Sequence, residues 1–315
     1  MLEDTKKTGF MQKTPVVWGG ALICCLLWGS AFPCVKIGYR LFAVAADDSA
    51  AQILFAGLRF TLAGILAILI GSLLSRRLLL PKREAAGGIA ILCLLQTVIQ
   101  YFFFYIGLAH TSGVKASIIE AVSVFVAILV ASFLFHQESL TLAKIGGCII
   151  GFAGVVLINA RGVETGFALN GEGFLFLSTV SYAFSSVYLK RLSQRFDPVM
   201  LSGWQFVFGG LIMTGAGFLM GGRLQMVSGG AVPMLLYLAF ISAAAYSLWG
   251  ILLKYNPVSR VAVFGFMNPV FGVLLSALLL GEKEQAGGLI SILSLILVST
   301  GIWIVNRGKE PGRES

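Results

Sequence analysis

Residues 85–114 read AAGGIAILCLLQTVIQYFFFYIGLAHTSGV, thirty residues without a Lys, Arg, Asp or Glu. Crossing a bilayer core about 30 Å thick takes about 20 apolar residues in a helix, since lipid offers no partner to an unpaired amide. The stretch therefore predicts a transmembrane helix, and it has nine counterparts. Residues 14–35, 60–75, 121–137, 145–160, 173–189, 198–222, 224–253, 261–281 and 285–306 are also free of charge. The ten windows predict helices at about 15–37, 50–73, 87–109, 114–135, 142–159, 172–191, 198–220, 231–253, 258–280 and 286–305. Pro15, Pro198 and Pro233 fall at predicted helix starts, where a missing N–H costs nothing.

The composition excludes most other classes. Of 315 residues, 57% are hydrophobic and 12% charged, against about 25% charged in a soluble domain. So little charge cannot cover a water-facing globule, which rules out a soluble enzyme, a disordered chain or a collagen-like one. Cys24, Cys25, Cys34, Cys93 and Cys148 all lie in apolar stretches without a CxxC pair, and the only histidines are His110 and His136. No disulfide framework, metal centre or other cofactor is expected from that set. Lys6, Lys7 and Lys13 could flank a signal peptide, but the apolar run behind them is too long and nine more follow, so it is read as a retained helix.

The net charge of +9 has a topological explanation. With a cytoplasmic N-terminus, sixteen Lys and Arg fall in inside segments and five (Arg40, Lys115, Arg161, Arg223, Lys283) in outside loops. Lys36 and Arg59 fall within helices. That asymmetry is the positive-inside signal, and it puts both termini in the cytoplasm of a multi-pass cell-membrane protein. The cations form no groove-tracking patch, so no nucleic-acid partner is expected. No loop exceeds about a dozen residues, which leaves no room for a soluble catalytic domain.

The two halves parallel each other. Leu26-Leu27-Trp28-Gly29-Ser30-Ala31 through Lys36 aligns with Val180-Ser181-Tyr182-Ala183 through Lys190, so that Trp28 meets Tyr182. Tyr105-Ile106-Gly107-Leu108-Ala109 lies over Trp249-Gly250-Ile251-Leu252-Leu253, and at the same offset Glu138 meets Glu282. Gly154-Val155-Val156-Leu157-Ile158-Asn159 parallels Gly301-Ile302-Trp303-Ile304-Val305-Asn306. Five helices per half is an odd number, so the second copy enters the membrane from the opposite side. The expected fold is an all-α polytopic membrane protein of ten transmembrane helices in a 5+5 inverted-topology repeat, an architecture recurrent in secondary transporters. Its expected divisions are an N-terminal segment 1–14, repeats at 15–159 and 172–306, and a C-terminal segment 307–315.

Particular residues then carry a family resemblance. Trp28-Gly29-Ser30-Ala31-Phe32, Leu58-Arg59-Phe60, Gly107-Leu108-Ala109 and Pro269-Val270-Phe271 through Gly281-Glu282 are similar to the drug/metabolite transporter superfamily, in particular its EamA-type members. The similarity spans residues 15–306. It departs in helix 4, where the family's proline is replaced by Ser123 or Phe125 according to the gap chosen, and after it, where Gly-Glu reads Gln137-Glu138. The resemblance implies carrier-mediated movement of small metabolites, often by export and often proton-coupled.

Several residues suit such work. Glu120 sits about two turns into helix 4 among apolar neighbours, and a carboxylate there normally faces a cavity or a partner. It is a candidate for proton coupling or for binding a substrate amine, the competing reading being an ion pair with Arg59 or Lys36. Tyr101 and Tyr105 share a face of helix 3, as do Tyr182 and Ser186 in helix 6. With Trp28, Ser30, Tyr246, Trp249 and Asn268 they form the candidate substrate cavity, where aromatic rings could hold a cation. Plain aromatic packing between helices competes with that reading at each position. Pro33 and Pro269 interrupt helices 1 and 9 and are candidate hinges. Gly146, Gly147, Gly151 and Gly154, and Gly209, Gly210, Gly215 and Gly217, are read as close-packing surfaces.

The leading expectation is a secondary transporter exporting an amino-acid-like or amine-bearing small molecule, with the lipid bilayer and protons as its other partners. Import of a cationic or quaternary amine is the alternative within that class. An integral-membrane enzyme finds no paired-Asp, HExxH or GxSxG motif here, and a channel has no need of the duplication.

Overall fold

The computed structural model describes residues 8–160, 166–280 and 289–308. Among these residues the chain forms ten long helices. In chain order they are α1 (Thr14–Leu41), α2 (Ser49–Ser75), α3 (Arg83–Leu108), α4 (Gly113–Leu134), α5 (Leu142–Asn159), α6 (Phe174–Ser193), α7 (Pro198–Leu219), α8 (Ala231–Tyr255), α9 (Val258–Leu280) and α10 (Leu289–Arg307). Each coincides with a predicted span to within a few residues. The predicted start of the tenth lies outside the described residues. Nine of these helices are long and apolar enough to cross a membrane. The exception, α6, is rich in hydroxyls and buries Ser178, Thr179, Ser181, Ser185 and Ser186, so its polarity faces protein rather than lipid.

Local chemistry sets the helix boundaries. Asp48 Oδ1 accepts from the Ala51 amide at 2.8 Å and starts α2; Asp197 Oδ1 accepts from Val199 at 2.9 Å and starts α7 behind Pro198. Ser112 and Thr141 cap α4 and α5 in the same way. The lipid side is apolar: α2 exposes Ile65, Leu69, Leu73 and Leu74, and α10 exposes Leu289, Ile292 and Ile296. Exposed apolar faces around a buried interior are expected where the surrounding solvent is hydrocarbon.

Glycines reveal the symmetry. On α2 and α7 they recur every seven residues, as Gly57, Gly64 and Gly71, and as Gly203, Gly210 and Gly217. A Cβ at Gly57 would fall 2.3 Å from Thr214 N, and one at Gly210 would fall 2.3 Å from Thr61 N. Likewise Gly64 abuts Val207 N and Gly217 abuts Leu54 N, each at 2.5 Å. These contacts are reciprocal, Gly57 with Thr61 mirroring Gly210 with Thr214, and they run antiparallel. A twofold relation through the α2–α7 contact is the geometry that makes them so. The α5–α10 pair repeats it, Gly147 against Gly301 O being mirrored by Gly154 against Ser294 O. The other pairings match as well: α1 packs on α8 and α9, and α6 on α3 and α4. The architecture is thus a 5+5 inverted repeat.

Two of the expected packing glycines are corrected. At Gly146 and Gly215 a Cβ would meet nothing within 4 Å, because each lies on the side of its helix turned from the partner.

Candidate functional site

The predicted aromatics largely converge. Trp28 of α1 meets Tyr246 and Trp249 of α8 edge-on, with ring centroids 5.2 and 5.0 Å apart. The hydroxyls of Tyr101 on α3 and Tyr246 share a 2.8 Å hydrogen bond. Tyr101 also lies 6.2 Å from Tyr105 and 4.3 Å from Phe60 of α2. Phe60 stacks on Phe206 of α7 at 5.2 Å, and Phe206 returns edge-on to Tyr246 at 4.9 Å. Five predicted residues on three helices thus form one cluster, closed by Phe60 and Phe206, which the sequence reading did not assign to the site.

Trp249 also forms a wall of a cavity of about 20 Å³, roughly the room one water molecule needs. Ser123, Tyr182, Ser186, Gly265 and Asn268 line it as well. Asn268 Oδ1, on a residue of this wall, is buried without a hydrogen bond, and so is Trp28 Nε1 in the adjoining aromatic cluster. Ser123, one of the two positions at which the family's helix 4 proline could fall, belongs to the wall.

The two prolines differ in surroundings. Pro33 is buried and α1 runs through it. Pro269 lies just beyond a 3-10 turn, Val263–Phe266. Without an N–H it cannot bond the Gly265 carbonyl one turn back, which accounts for the tighter winding there. Gly265 and Asn268 of this irregular stretch both reach the cavity.

Other predicted residues go elsewhere. Ser30 is buried and bonds Leu27 O at 2.8 Å and the exposed Tyr237 at its Oη at 3.3 Å, with no bond to the aromatic cluster. Lys36 is exposed on α1 and likewise lies outside the cluster. Glu120 lies deep in the bundle, close enough to Tyr105 to act on its hydroxyl, yet keeps part of its surface reachable. The competing reading, an ion pair of Glu120 with Arg59 or Lys36, finds no such pair among the described residues. Arg59 instead donates through Nε to Leu238 O at 3.3 Å and through Nη2 to Ser242 Oγ at 2.9 Å, both on α8.

Two polar clusters tie the halves together at opposite ends. Where α9 begins, Glu138 Oε2 accepts from Lys144 Nζ at 3.3 Å and from Ser259 Oγ at 2.7 Å, and Oε1 accepts from Ser259 N at 3.0 Å. Where α4 begins, Glu172 Oε1 accepts from Lys115 Nζ at 2.7 Å and from Thr111 Oγ1 at 2.8 Å. Lys115, first among several donors to it, holds the Glu172 carboxyl down at about 2. Within the bundle, Gln205 accepts from Thr97 at 2.6 Å and donates to Gln96 at 3.3 Å. Nothing in the spacing of these uncharged residues marked them. Among the described residues no group of His, Cys, Asp or Glu is placed to hold a metal ion.

An inverted repeat around a small polar-and-aromatic centre defines a polytopic membrane carrier. Comparison with known proteins makes the class definite. The EamA-like transporter family matches residues 17–160 and again 169–307, and the chain belongs to that family. An uncharacterised transporter of Bacillus subtilis is 27% identical over 89% of this chain and 88% of its own length. Proteins of Salmonella typhimurium and Escherichia coli, each named "Probable amino-acid metabolite efflux pump", are 26% identical, over 95% and 90% of this chain and 95% and 92% of their own. A crystal structure superposes with a TM-score of 0.75 over 93% of this chain and 96% of that one; at 19% identity it bears on the fold alone. The protein is a multi-pass membrane transporter and not an enzyme.

Proposed function

We propose that the chain exports a small amino-acid-like or amine-bearing metabolite across the cell membrane by alternating access, with proton exchange at Glu120 and both termini in the cytoplasm. The observation that carries this reading is Glu120 itself: a carboxylate deep in the bundle, with reachable surface and no ion pair among the described residues. The aromatic set of Trp28, Tyr101, Tyr105, Tyr246 and Trp249 shapes the pocket and offers ring faces to an amine. Tyr182, Ser186 and Asn268 supply its polar wall, and α1 and α9 bend at Pro33 and Pro269 as access alternates. The names of the enterobacterial relatives support an amino-acid metabolite as cargo and efflux as direction. The same rings would suit a quaternary amine moving inward, which is the second reading.

Counterflow in proteoliposomes tests it. Saturable exchange of labelled amino acid is expected, whereas flux growing linearly with concentration sinks the carrier mechanism. Glu120→Gln should abolish uptake driven by a pH gradient and leave counterflow intact; unchanged gradient dependence removes Glu120 from coupling. A tag after Ser315 should stay unlabelled in intact cells, and external labelling overturns the orientation.

A further inference from the structure

Arg59 is placed where a cation is hard to keep. It lies inside the membrane span of α2 with 4% of its surface exposed. No carboxylate comes within ion-pair distance of it among the described residues. A guanidinium cannot shed its proton to escape the penalty, and neighbours that hydrogen-bond it without carrying charge leave that penalty standing. Its bonds to Leu238 O and Ser242 Oγ engage two N–H groups of the five that a guanidinium offers, and its other neighbours, the Tyr105 hydroxyl and the Phe60 ring 5.2 Å from its Cζ, are neutral. The charge bears on the hydroxyls of Tyr39, Tyr101 and Tyr105. Tyr105 also feels Glu120, the opposite charge of the interior. Two unlike charges thus act on one tyrosine without neutralising each other.

A zwitterion would complete that arrangement. Its carboxylate can displace a neutral partner such as the Tyr105 hydroxyl and take a guanidinium in paired hydrogen bonds, a geometry an ammonium-bearing lysine does not offer. We infer that Arg59 is the anchor for a carboxylate on the transported molecule, so that the cargo is an α-amino-acid-type zwitterion held between Arg59 and Glu120. This rests on the carrier reading above and narrows its substrate class: an amine without a carboxylate is excluded as preferred cargo.

The test uses the full-length protein in proteoliposomes. Counterflow of labelled L-leucine and L-phenylalanine is challenged with each amino acid, its amino alcohol and its amide. The amino acids should compete at least about tenfold better than the alcohols and amides, a gap of about 1.4 kcal/mol. Arg59→Gln should erase that preference, and Arg59→Lys should keep part of it. If leucinol and phenylalaninol compete within about twofold of the parent acids in the wild-type protein, a ratio within ordinary measurement scatter, the anchor is overturned while the carrier stands. That arm needs no variant to fold. If labelled L-leucine and L-phenylalanine do not exchange at all, the amino-acid-like reading itself falls, and the anchor with it.

Discussion

Glu172 and Glu120 show how one side chain can serve opposite ends according to its neighbours. Glu172 sits outside the spans, in the turn before α6, with Lys115, Thr111 and the Ala168 amide all donating to it. Those partners lower its carboxyl from an ordinary 4.5 to about 2. A carboxyl depressed in the folded state stabilises the fold fully above its unfolded value, and that stabilisation drains away as pH falls toward the folded one. The melting temperature should therefore be flat from neutral pH to about 5 and fall below about 4. Glu172→Gln should remove that acid arm, and an unchanged acid arm would show that another group sets it. Glu120, by contrast, has no such donors among the described residues, which is why it is a candidate for carrying a proton and Glu172 is not. Both acids were visible in the sequence, and Glu120 stood out because a charge interrupts an apolar run. Their pairing was not visible. Which cation reaches which carboxylate depends on helix rotation, and the alternative Glu120–Arg59 pair is absent because Arg59 turns to α8.

Helix spans were legible because burial in lipid leaves a long, charge-free record of each crossing. Even α6, least apolar of the ten, was bounded by Glu172 at its start and Lys190 at its end. Faces were less legible than spans. Near-four spacing held for Gly147, Gly151 and Gly154 on α5 but also drew in Gly146 and Gly215, and between α2 and α7 the contacts follow the seven-residue spacing of Gly57 with Gly64 and of Gly203 with Gly210 and Gly217. That period keeps one side of a helix facing its partner, whereas adjacent glycines also mark the side turned away. The distinction has a measurable consequence. Gly57→Val and Gly210→Val place a side chain against backbone amides of the facing helix, so α2 and α7 must separate. Both should sharply reduce monodisperse protein on detergent gel filtration. Gly146→Ala and Gly215→Ala meet open space and should hold or raise the melting temperature, helix propensity favouring Ala by about 0.5–1 kcal/mol. Equal damage from both sets would refute the assignment of faces.

The molecule as a whole is held at both ends by bonds between its halves. Glu138, in the loop between α4 and α5, grips Ser259 at the start of α9; Glu172, before α6, grips Lys115 and Thr111 at the start of α4. With both grips closed, the cavity beside Trp249 and Asn268 holds only about 20 Å³, far below the roughly 300 Å³ or more typical of a small-molecule pocket. Alternating access then requires one grip to yield while the other holds. The Glu138 grip is the more deeply buried, the side chains of Lys144 and Glu138 being 4% and 1% exposed. Removing one charge of such a pair leaves the other uncompensated, at a cost of about 3–5 kcal/mol. Glu138→Gln should therefore populate the state open at the end where α9 begins. The chain carries its own reporters, since all five cysteines are free and buried. Cys25 of α1 lies 3.1 Å from Phe264 O on α9, whereas Cys34 is farther along α1 toward the opposite end. A water-soluble maleimide should leave wild-type Cys24 and Cys25 unmodified, and in Glu138→Gln it should label them while sparing Cys34. Labelling of all three would mean general loosening, and labelling of none would mean that Glu138 staples the loop without gating the interior.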